Sequence, residues 1–356
     1  MNDTKITHLE KVEIHNLWGE VDINWQLDPN VNILIGINGS GKSTIIELID
    51  AIIHEKPIKQ FFPFSKVKLS FNDNYWISAE PIKDIGTFRN THHKKVVSLT
   101  TRYKENGYTT ESNFIEKADN NKYRYVDFIN LEKVSTFDFS QEDKLKIDME
   151  IIEREDDKSY SKNTDLDKIL KRLINEFKGY LLKLRNLERE ETIVLDRKIK
   201  ELSAKEQASV EELQELRTAL QHKEMKVEEI YQTKNQFLSE LNQLFASTRK
   251  MVDFDKNNAL IFHKDDKEIT PYHLSAGEKQ ILIILLTVIL PENKPSILLL
   301  DEPELSLHLP WQFQLIEMIQ RINENCQIII VTHAPGIFGK GWRDKITKIE
   351  DIVSLH

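Results

Sequence analysis

The chain has 356 residues, 40% apolar and 30% charged, enough for a core under a solvated surface and, at roughly 150 residues per domain, for two domains or one large domain with an insertion. Its 49 basic and 58 acidic side chains leave a net charge of −9, which excludes a polycation that coats nucleic acid indiscriminately. A single cysteine, Cys326, excludes an intramolecular disulfide framework and an all-cysteine metal site, and reads as a buried small hydrophobe. The longest apolar run, Ile281–Leu290 broken only by Thr287, is about half of a membrane span. No apolar stretch follows the N-terminal residues Met1 to Lys5. The expectation is a cytoplasmic protein without a membrane partner.

Along the first third, short β-rich runs dominate: Lys11–Ile14, Val21–Trp25, Asn32–Ile35, Lys66–Phe71, Tyr75–Ala79 and Val96–Thr101. Between the third of these and a helical pattern at Thr44–Ile53 lies Gly36-Ile37-Asn38-Gly39-Ser40-Gly41-Lys42-Ser43-Thr44, a G-x-x-x-x-G-K-S match with strand before and helix after. Glycines let backbone N–H groups turn inward around phosphates, and the helix N-terminus adds its positive end. Gly36, Asn38, Gly39, Ser40, Gly41, Lys42, Ser43 and Thr44 are therefore the candidate phosphate-binding residues. Lys42 would reach the β- and γ-phosphates of ATP, and the Ser43 hydroxyl would ligate Mg²⁺.

No proline occurs between Pro81 and Pro271, and Gly179 is the only glycine between Gly107 and Gly277. A stretch without chain-breakers is free to form long helix. Leu166, Ile169, Leu173, Phe177, Tyr180, Leu184 and Leu187 recur at helical spacing, and Leu213, Leu216, Leu220, Val227, Ile230, Phe237, Leu241 and Leu244 repeat the pattern. Charged residues fill the gaps, as in a coiled coil. The spacing falters around Ser203–Ser209, a candidate hairpin tip between arms of about 50 Å. A compact helical subdomain is the alternative. No CxxC lies near the tip, so a zinc-clasped hook is excluded.

Two further motifs follow. Leu274-Ser275-Ala276-Gly277-Glu278-Lys279-Gln280 leads directly into an apolar helix; Ser275 and the Gly277 N–H form a second candidate anion site, whose plain alternative is an ordinary N-cap. Ile297–Leu300, a run fit for a strand covered on both faces, ends in Asp301-Glu302-Pro303. Asp301 would join Ser43 at Mg²⁺, and Glu302 would act as general base or water-positioner in in-line attack. A second buried run, Ile328–Val331, leads into Thr332-His333-Ala334.

In this order the motifs resemble the ABC-type ATPases, with Leu274–Gln280 as signature loop and His333 as switch histidine. The long interval between Lys42 and Ser275, filled by a helical hairpin, resembles the SMC, RecF and OLD-like branch. The fold this implies is an α/β ABC-type P-loop head with a mixed sheet, interrupted by a coiled-coil hairpin. Residues 1–140 form the N-terminal half of the head, 141–250 the insertion and 251–356 the C-terminal half. The resemblance further implies that Ser275 and Gly277 act in trans on the nucleotide of a second copy, in a homodimer or larger homo-oligomer. His333 would contact the γ-phosphate, and Glu304-Leu305-Ser306-Leu307-His308 would be the D-loop; His308 itself reads as a helix-entry or interface residue and not as a catalyst. A glutamine ligand of Mg²⁺ is also implied; Gln141 is the first candidate and Gln60 the second. Trp18 is a candidate for stacking on adenine, with plain packing in the first hairpin as the alternative.

With 23 residues past His333, no TOPRIM domain is expected there. Together with the tail Gly341-Trp342-Arg343-Asp344-Lys345, this resembles stand-alone ATPase subunits of bacterial phage defence, the PARIS type above all. The function implied is an ATPase sensor and scaffold that holds and releases a separate TOPRIM or HNH nuclease, with DNA or a phage protein as trigger. The alternative is a DNA-engaging SMC/RecF-like ATPase of DNA repair or chromosome maintenance. The basic groups Lys56, Lys59, Lys66, Lys68 and Arg89, His92, His93, Lys94, Lys95, Arg102, Lys104 read either as solvated surface or as a duplex contact.

Overall fold

The computed structural model describes residues 6–54, 63–81, 108–112, 115–117, 123–125, 130–135, 165–204, 209–255, 259–339 and 341–356. The expected strand at Val96–Thr101, both glutamine candidates Gln60 and Gln141, Lys56, Lys59 and the basic stretch from Arg89 to Lys104 lie outside them. In chain order the N-terminal part comprises β1 (Leu9–Leu17), β2 (Val21–Gln26), β3 (Val31–Ile35), α1 (Lys42–Ile53), β4 (Lys66–Phe71), β5 (Trp76–Pro81), β6 (Tyr108–Ser112), β7 (Ile115–Lys117), β8 (Tyr123–Tyr125) and β9 (Asn130–Ser135). Two long helices follow, α2 (Asp165–Ser203) and α3 (Val210–Ala246), and then β10 (Lys250–Phe254), β11 (Leu260–Lys264), β12 (Lys267–Ile269) and α4 (Ala276–Ile289). The C-terminal part holds β13 (Ser296–Asp301), α5 (Leu309–Gln312), α6 (Leu315–Ile322), β14 (Cys326–Val331), α7 (Pro335–Phe338), β15 (Ile346–Lys348), α8 (Ile349–Ile352) and β16 (Val353–Leu355).

The chain divides into two compact units, one of residues 1–138, 293–320 and 324–356, the other of 139–292 and 321–323. In the first, parallel and antiparallel pairing are segregated into separate sheets. The order β15-β3-β14-β13-β9 is parallel throughout, and β16-β2-β1-β4-β5-β6 is antiparallel. Strand β3 pairs with β14 and β15, and β16 pairs with β2, so chain segments from both ends are needed to complete each sheet. Every residue of β14 is buried, as are all of β13 except Asp301, which explains their uninterrupted apolar runs. Each buried Ile or Leu there contributes about 1.5–3 kcal/mol. The buried amide of β14 is satisfied: Gln327 accepts the Leu9 N–H and donates to the Leu9 and Asp28 carbonyls, each at 2.8 Å. Cys326 is buried at the start of β14, as its residue type suggested, and burial pushes its thiol up to about 12.

In the second unit α2 and α3 run for 39 and 37 residues, and α2 alone is about 58 Å long at about 1.5 Å per residue. Helix α2 ends and α3 begins where the apolar spacing falters. Ser209 caps α3, with its hydroxyl accepting the Glu212 N–H and the Glu212 carboxylate accepting the Ser209 N–H. Burial is concentrated at the base of the hairpin, on Leu166, Leu170, Leu173, Phe177, Tyr180 and Leu184 of α2 and Phe237, Leu241, Leu244 and Phe245 of α3. Toward the tip Ile193, Val194, Val210, Leu213 and Met225 are exposed, and cross-helix pairs such as Lys198–Glu215 at 3.1 Å line the seam. The segment carrying the signature motif packs with this unit, because α4 lies against α2 and α3. Among the described residues no helix is long and apolar enough to cross a membrane.

Candidate nucleotide site

Strand β3 delivers the chain to the loop at Gly36, and α1 begins at Lys42. Gly39 and Gly41 have φ of 80° and 94°, left-handed values that side chains rarely adopt, and Gly41 is the N-cap of α1. Close packing also enforces glycine: a Cβ on Gly36 would stand 2.4 Å from Ile349 Cγ2, and one on Gly41 2.2 Å from Trp18 Cη2. The first turn of α1 has no side-chain cap and no acidic residue, so its N–H groups face outward and favour an anion. A cavity of about 280 Å³ opens here, lined by Asn38, Gly39, Gly41, Lys42, Ser43 and Thr44, with Trp18, Glu302 and His333 at its walls. Ser40 Oγ is buried and has no hydrogen-bond partner among the described residues.

The carboxylates arrive from β13. In the parallel register Asp301 stands beside Val331 of β14, so Glu302 and the loop after Val331 leave the sheet together. Asp301 Oδ1 accepts the Ser43 hydroxyl at 2.9 Å. Glu302 has φ of 47°, unusual for a side chain of this size, and is fixed by its N–H donating to the Val331 carbonyl at 2.8 Å. Glu302 Oε1 lies 3.2 Å from His333 Nε2, and Lys42 Nζ lies 2.8 Å from the same nitrogen. Lys42 also donates to the Gly36 and Ile37 carbonyls at 3.0 and 2.9 Å. Glu304 Oε1 accepts the Thr332 hydroxyl at 2.6 Å, the His333 N–H at 3.0 Å and the Ala334 N–H at 3.1 Å.

These contacts shift protonation in a consistent direction. Burial, then the hydrogen bond that its protonated form donates to Glu304 and the charges of Glu304 and Asp301, push the Glu302 carboxyl up to about 8 against the pull of Lys42. Burial holds the Lys42 ammonium below its ordinary value, opposed by Glu302 and Asp301. Burial, then the Lys42 charge, lowers His333, so its imidazole is neutral and accepts the Lys42 proton at Nε2.

Lys42, Ser43, Asp301, Glu302 and His333 are thus brought together, whereas Gln141 lies outside the described residues. The donor set fits the groups that the motifs imply: open N–H groups for phosphates, and a hydroxyl beside one carboxylate for a hard dication. Trp18 does not stand free at the mouth; its ring edge packs on Gly41. His308 is the N-cap of α5, with its ring edge-on to Trp311 at 5.5 Å, a helix-entry residue as its sequence position suggested.

Ser275 and Gly277 belong to the other unit. Ser275 is exposed and caps α4, while Gly277 is buried in the first turn. The Ser275 hydroxyl accepts the Glu278 N–H at 3.3 Å, and Glu278 Oε2 accepts the Ser275 N–H at 2.7 Å. Glu278 is fully buried and also accepts Lys250 at 2.6 and 2.8 Å and the Thr248 hydroxyl at 2.7 Å. Burial alone would raise its carboxyl, but Lys250, Thr248 and Ser275 outweigh it and hold it below the usual range. The next residue, Lys279, pairs with Asp167 of α2 at 2.7 Å, both nearly buried. The sequence motifs contain Glu304 and Glu278 but gave neither a role of its own and did not single out Lys250, because their partners are distant in the chain; two carboxylates inside the key motifs were the available signal.

Residues 31–339 match the family described as "AAA domain, putative AbiEii toxin, Type IV TA system". The retron Vc95 probable ATPase of Vibrio cholerae serotype O1 biovar El Tor is 22% identical over 380 residues, covering 91% of this chain and 70% of that protein. The peptide transport system ATP-binding protein SapD of Escherichia coli O157:H7 is 33% identical over 86 residues, so that the match spans 24% of this chain and only 25% of SapD. The solved Smc head domain with an extended coiled coil from Pyrococcus furiosus superposes with a TM-score of 0.45 at 14% identity, covering 99% of this chain and 96% of that one. With its P-loop, strand-end carboxylates and His333 in ABC-type order, the chain belongs to the AAA-domain family of the putative AbiEii toxin, type IV TA system.

Proposed function

We propose that the protein hydrolyses ATP to ADP and phosphate, and that it serves as the cytoplasmic sensor and scaffold of an anti-phage defence system. The observation that carries the enzymatic reading is the meeting of Ser43 with Asp301 at 2.9 Å and of Glu302 with His333 at 3.2 Å around one cavity of about 280 Å³. Asn38 to Thr44 would hold the triphosphate through backbone N–H groups, and Lys42 would exchange His333 for β- and γ-phosphate oxygens. Ser43 and Asp301 would hold Mg²⁺, with Gln141 as a further ligand; when bound, the ion supplies charge neutralisation at the phosphates. Ionised Glu302 would take a proton from water as its oxygen bonds to the γ-phosphorus. The bond between that phosphorus and the bridging oxygen breaks, and ADP leaves with the electron pair. His333 would hold the γ-phosphate and respond to its loss.

The cellular reading rests on the family description and on the relative named as a retron ATPase. We place Ser275 and Gly277 over the nucleotide of a second copy, so that ATP and assembly are linked. A separate TOPRIM or HNH nuclease, as in the PARIS arrangement, would be held by the assembly and released by a trigger. The head would then be residues 1–140 and 251–356, and the insertion 141–250.

The enzymatic test is turnover of wild type and Glu302→Gln with Mg·ATP. A loss of about 10²–10⁴-fold with ATP retained supports the reading; equal turnover refutes it. For the cellular role, a co-purifying nuclease chain insensitive to added duplex supports the scaffold. Duplex binding with a steep salt slope and no such chain would favour the DNA-engaging alternative.

A further inference from the structure

Strand β14 ends at Val331, and the next three residues carry His333 into the cradle. Their path is fixed at two points. From β3, the Leu34 carbonyl accepts the Thr332 N–H at 3.2 Å. From the turn after β13, Glu304 Oε1 accepts the Thr332 hydroxyl, the His333 N–H and the Ala334 N–H at 2.6, 3.0 and 3.1 Å. Thr332 is fully buried and its hydroxyl oxygen accepts the Ala334 N–H at 2.9 Å, so the turn closes on itself around the Glu304 oxygen.

Glu304 is itself held. Its carbonyl accepts the Leu307 N–H at 2.9 Å, and the preceding turn is closed by the Leu305 N–H donating to the Glu302 carbonyl at 3.2 Å. The same short turn therefore presents Glu302 to His333 Nε2 and Glu304 to the His333 backbone.

We propose that Glu304 is a positioning residue for hydrolysis: one carboxylate oxygen pins Thr332, His333 and Ala334 so that the His333 imidazole stands between Lys42 and Glu302. This rests on the ATPase reading given above. The role needs an acceptor at this point and not a negative charge. A glutamine carbonyl oxygen can receive the same three donors, whereas alanine leaves them without one.

The test uses the full chain as wild type, Glu304→Gln, Glu304→Ala, His333→Ala and the Glu304→Ala/His333→Ala double variant. Turnover and ADP affinity are measured, with the ring nitrogen resonances of His333 read by NMR and assigned by their loss in His333→Ala. In Glu304→Ala, kcat should fall about tenfold or more while ADP affinity stays within about threefold, because the P-loop is untouched. Glu304→Gln should recover turnover to within about threefold of wild type, and the double variant should be no slower than His333→Ala alone. The His333 Nε2 resonance should move in Glu304→Ala and keep its wild-type position in Glu304→Gln.

Wild-type turnover in Glu304→Ala, a Glu304→Gln variant as slow as Glu304→Ala, or losses that multiply in the double variant would each overturn the proposal. If the wild type itself fails to hydrolyse ATP, the enzymatic reading falls. The NMR arm still decides the brace in that case: an unmoved His333 resonance in Glu304→Ala overturns it, and a shift restored by glutamine upholds it.

Discussion

Lys42 Nζ lies 2.8 Å from His333 Nε2, a hydrogen bond between the end of the P-loop and the loop after β14. The imidazole must be neutral at that nitrogen, because an ammonium only donates. On the ATPase reading, an incoming phosphate would compete with His333 for Lys42, the cation that the described residues place in the cradle wall, and so link occupancy of the loop to the position of His333.

Lys42→Ala should abolish measurable nucleotide binding, whereas His333→Ala should bind ADP within about threefold of wild type, since ADP offers no γ-phosphate for His333 to hold. Calorimetric titration with ADP checks both. Tight binding by Lys42→Ala would count against the phosphate role of the lysine.

Glu302 gives the site a pH signature in metal-free protein. Its folded carboxyl titrates at about 8 against 4.5 for the ordinary group. The groups facing it are Glu304 and Asp301, which raise it, Lys42, which opposes them, and His333. The stability contributed by the protonated form is whole below about 4.5 and is lost as pH rises toward about 8. Glu302→Gln keeps the neutral, donating form at every pH. With EDTA present, its Tm advantage over wild type should therefore grow from weakly acid pH and level off above about 8. A constant difference across that range would contradict the assignment.

Lys250→Met should destabilise the hairpin-bearing unit. Glu278 and Lys250 are 1% and 10% exposed, so removing the ammonium strands a buried carboxylate. Breaking such a pair costs about 3–5 kcal/mol, which a denaturant melt resolves easily. Lys250→Met together with Glu278→Gln should recover part of the loss; a single variant as stable as wild type would show that the pair carries no load. Glu278 and Lys279, side by side in the first turn of α4, are tied respectively to Lys250 of β10 and to Asp167 of α2.

Much of this site was legible because its motifs are local. A glycine-rich loop between an apolar strand and a helix has one economical conformation, and the runs before Asp301 and Thr332 fit only strands covered on both faces. The hairpin was legible for the opposite reason, the absence of proline between Pro81 and Pro271 and of any glycine but Gly179 between Gly107 and Gly277. What stayed hidden depends on neighbours far away in sequence. Glu304 meets Thr332 across two strands, Lys250 meets Glu278 across a small sheet, and Gly41 meets Trp18 through a hairpin turn. Short strands such as β12, β15 and β16, three residues each, lack the length to show any period. The grouping of α4 with α2 and α3 likewise follows from packing and not from the motif it carries.

The most direct test of the account is complementation between two inactive variants, Lys42→Ala and Ser275→Arg. If each ATP lies between the P-loop of one copy and Ser275 of another, a mixed dimer regains one intact composite site. An equimolar mixture should then recover about a quarter of wild-type turnover, half the dimers being mixed and half their sites sound. Turnover that stays at the average of the two separate variants at every mixing ratio would contradict the shared site.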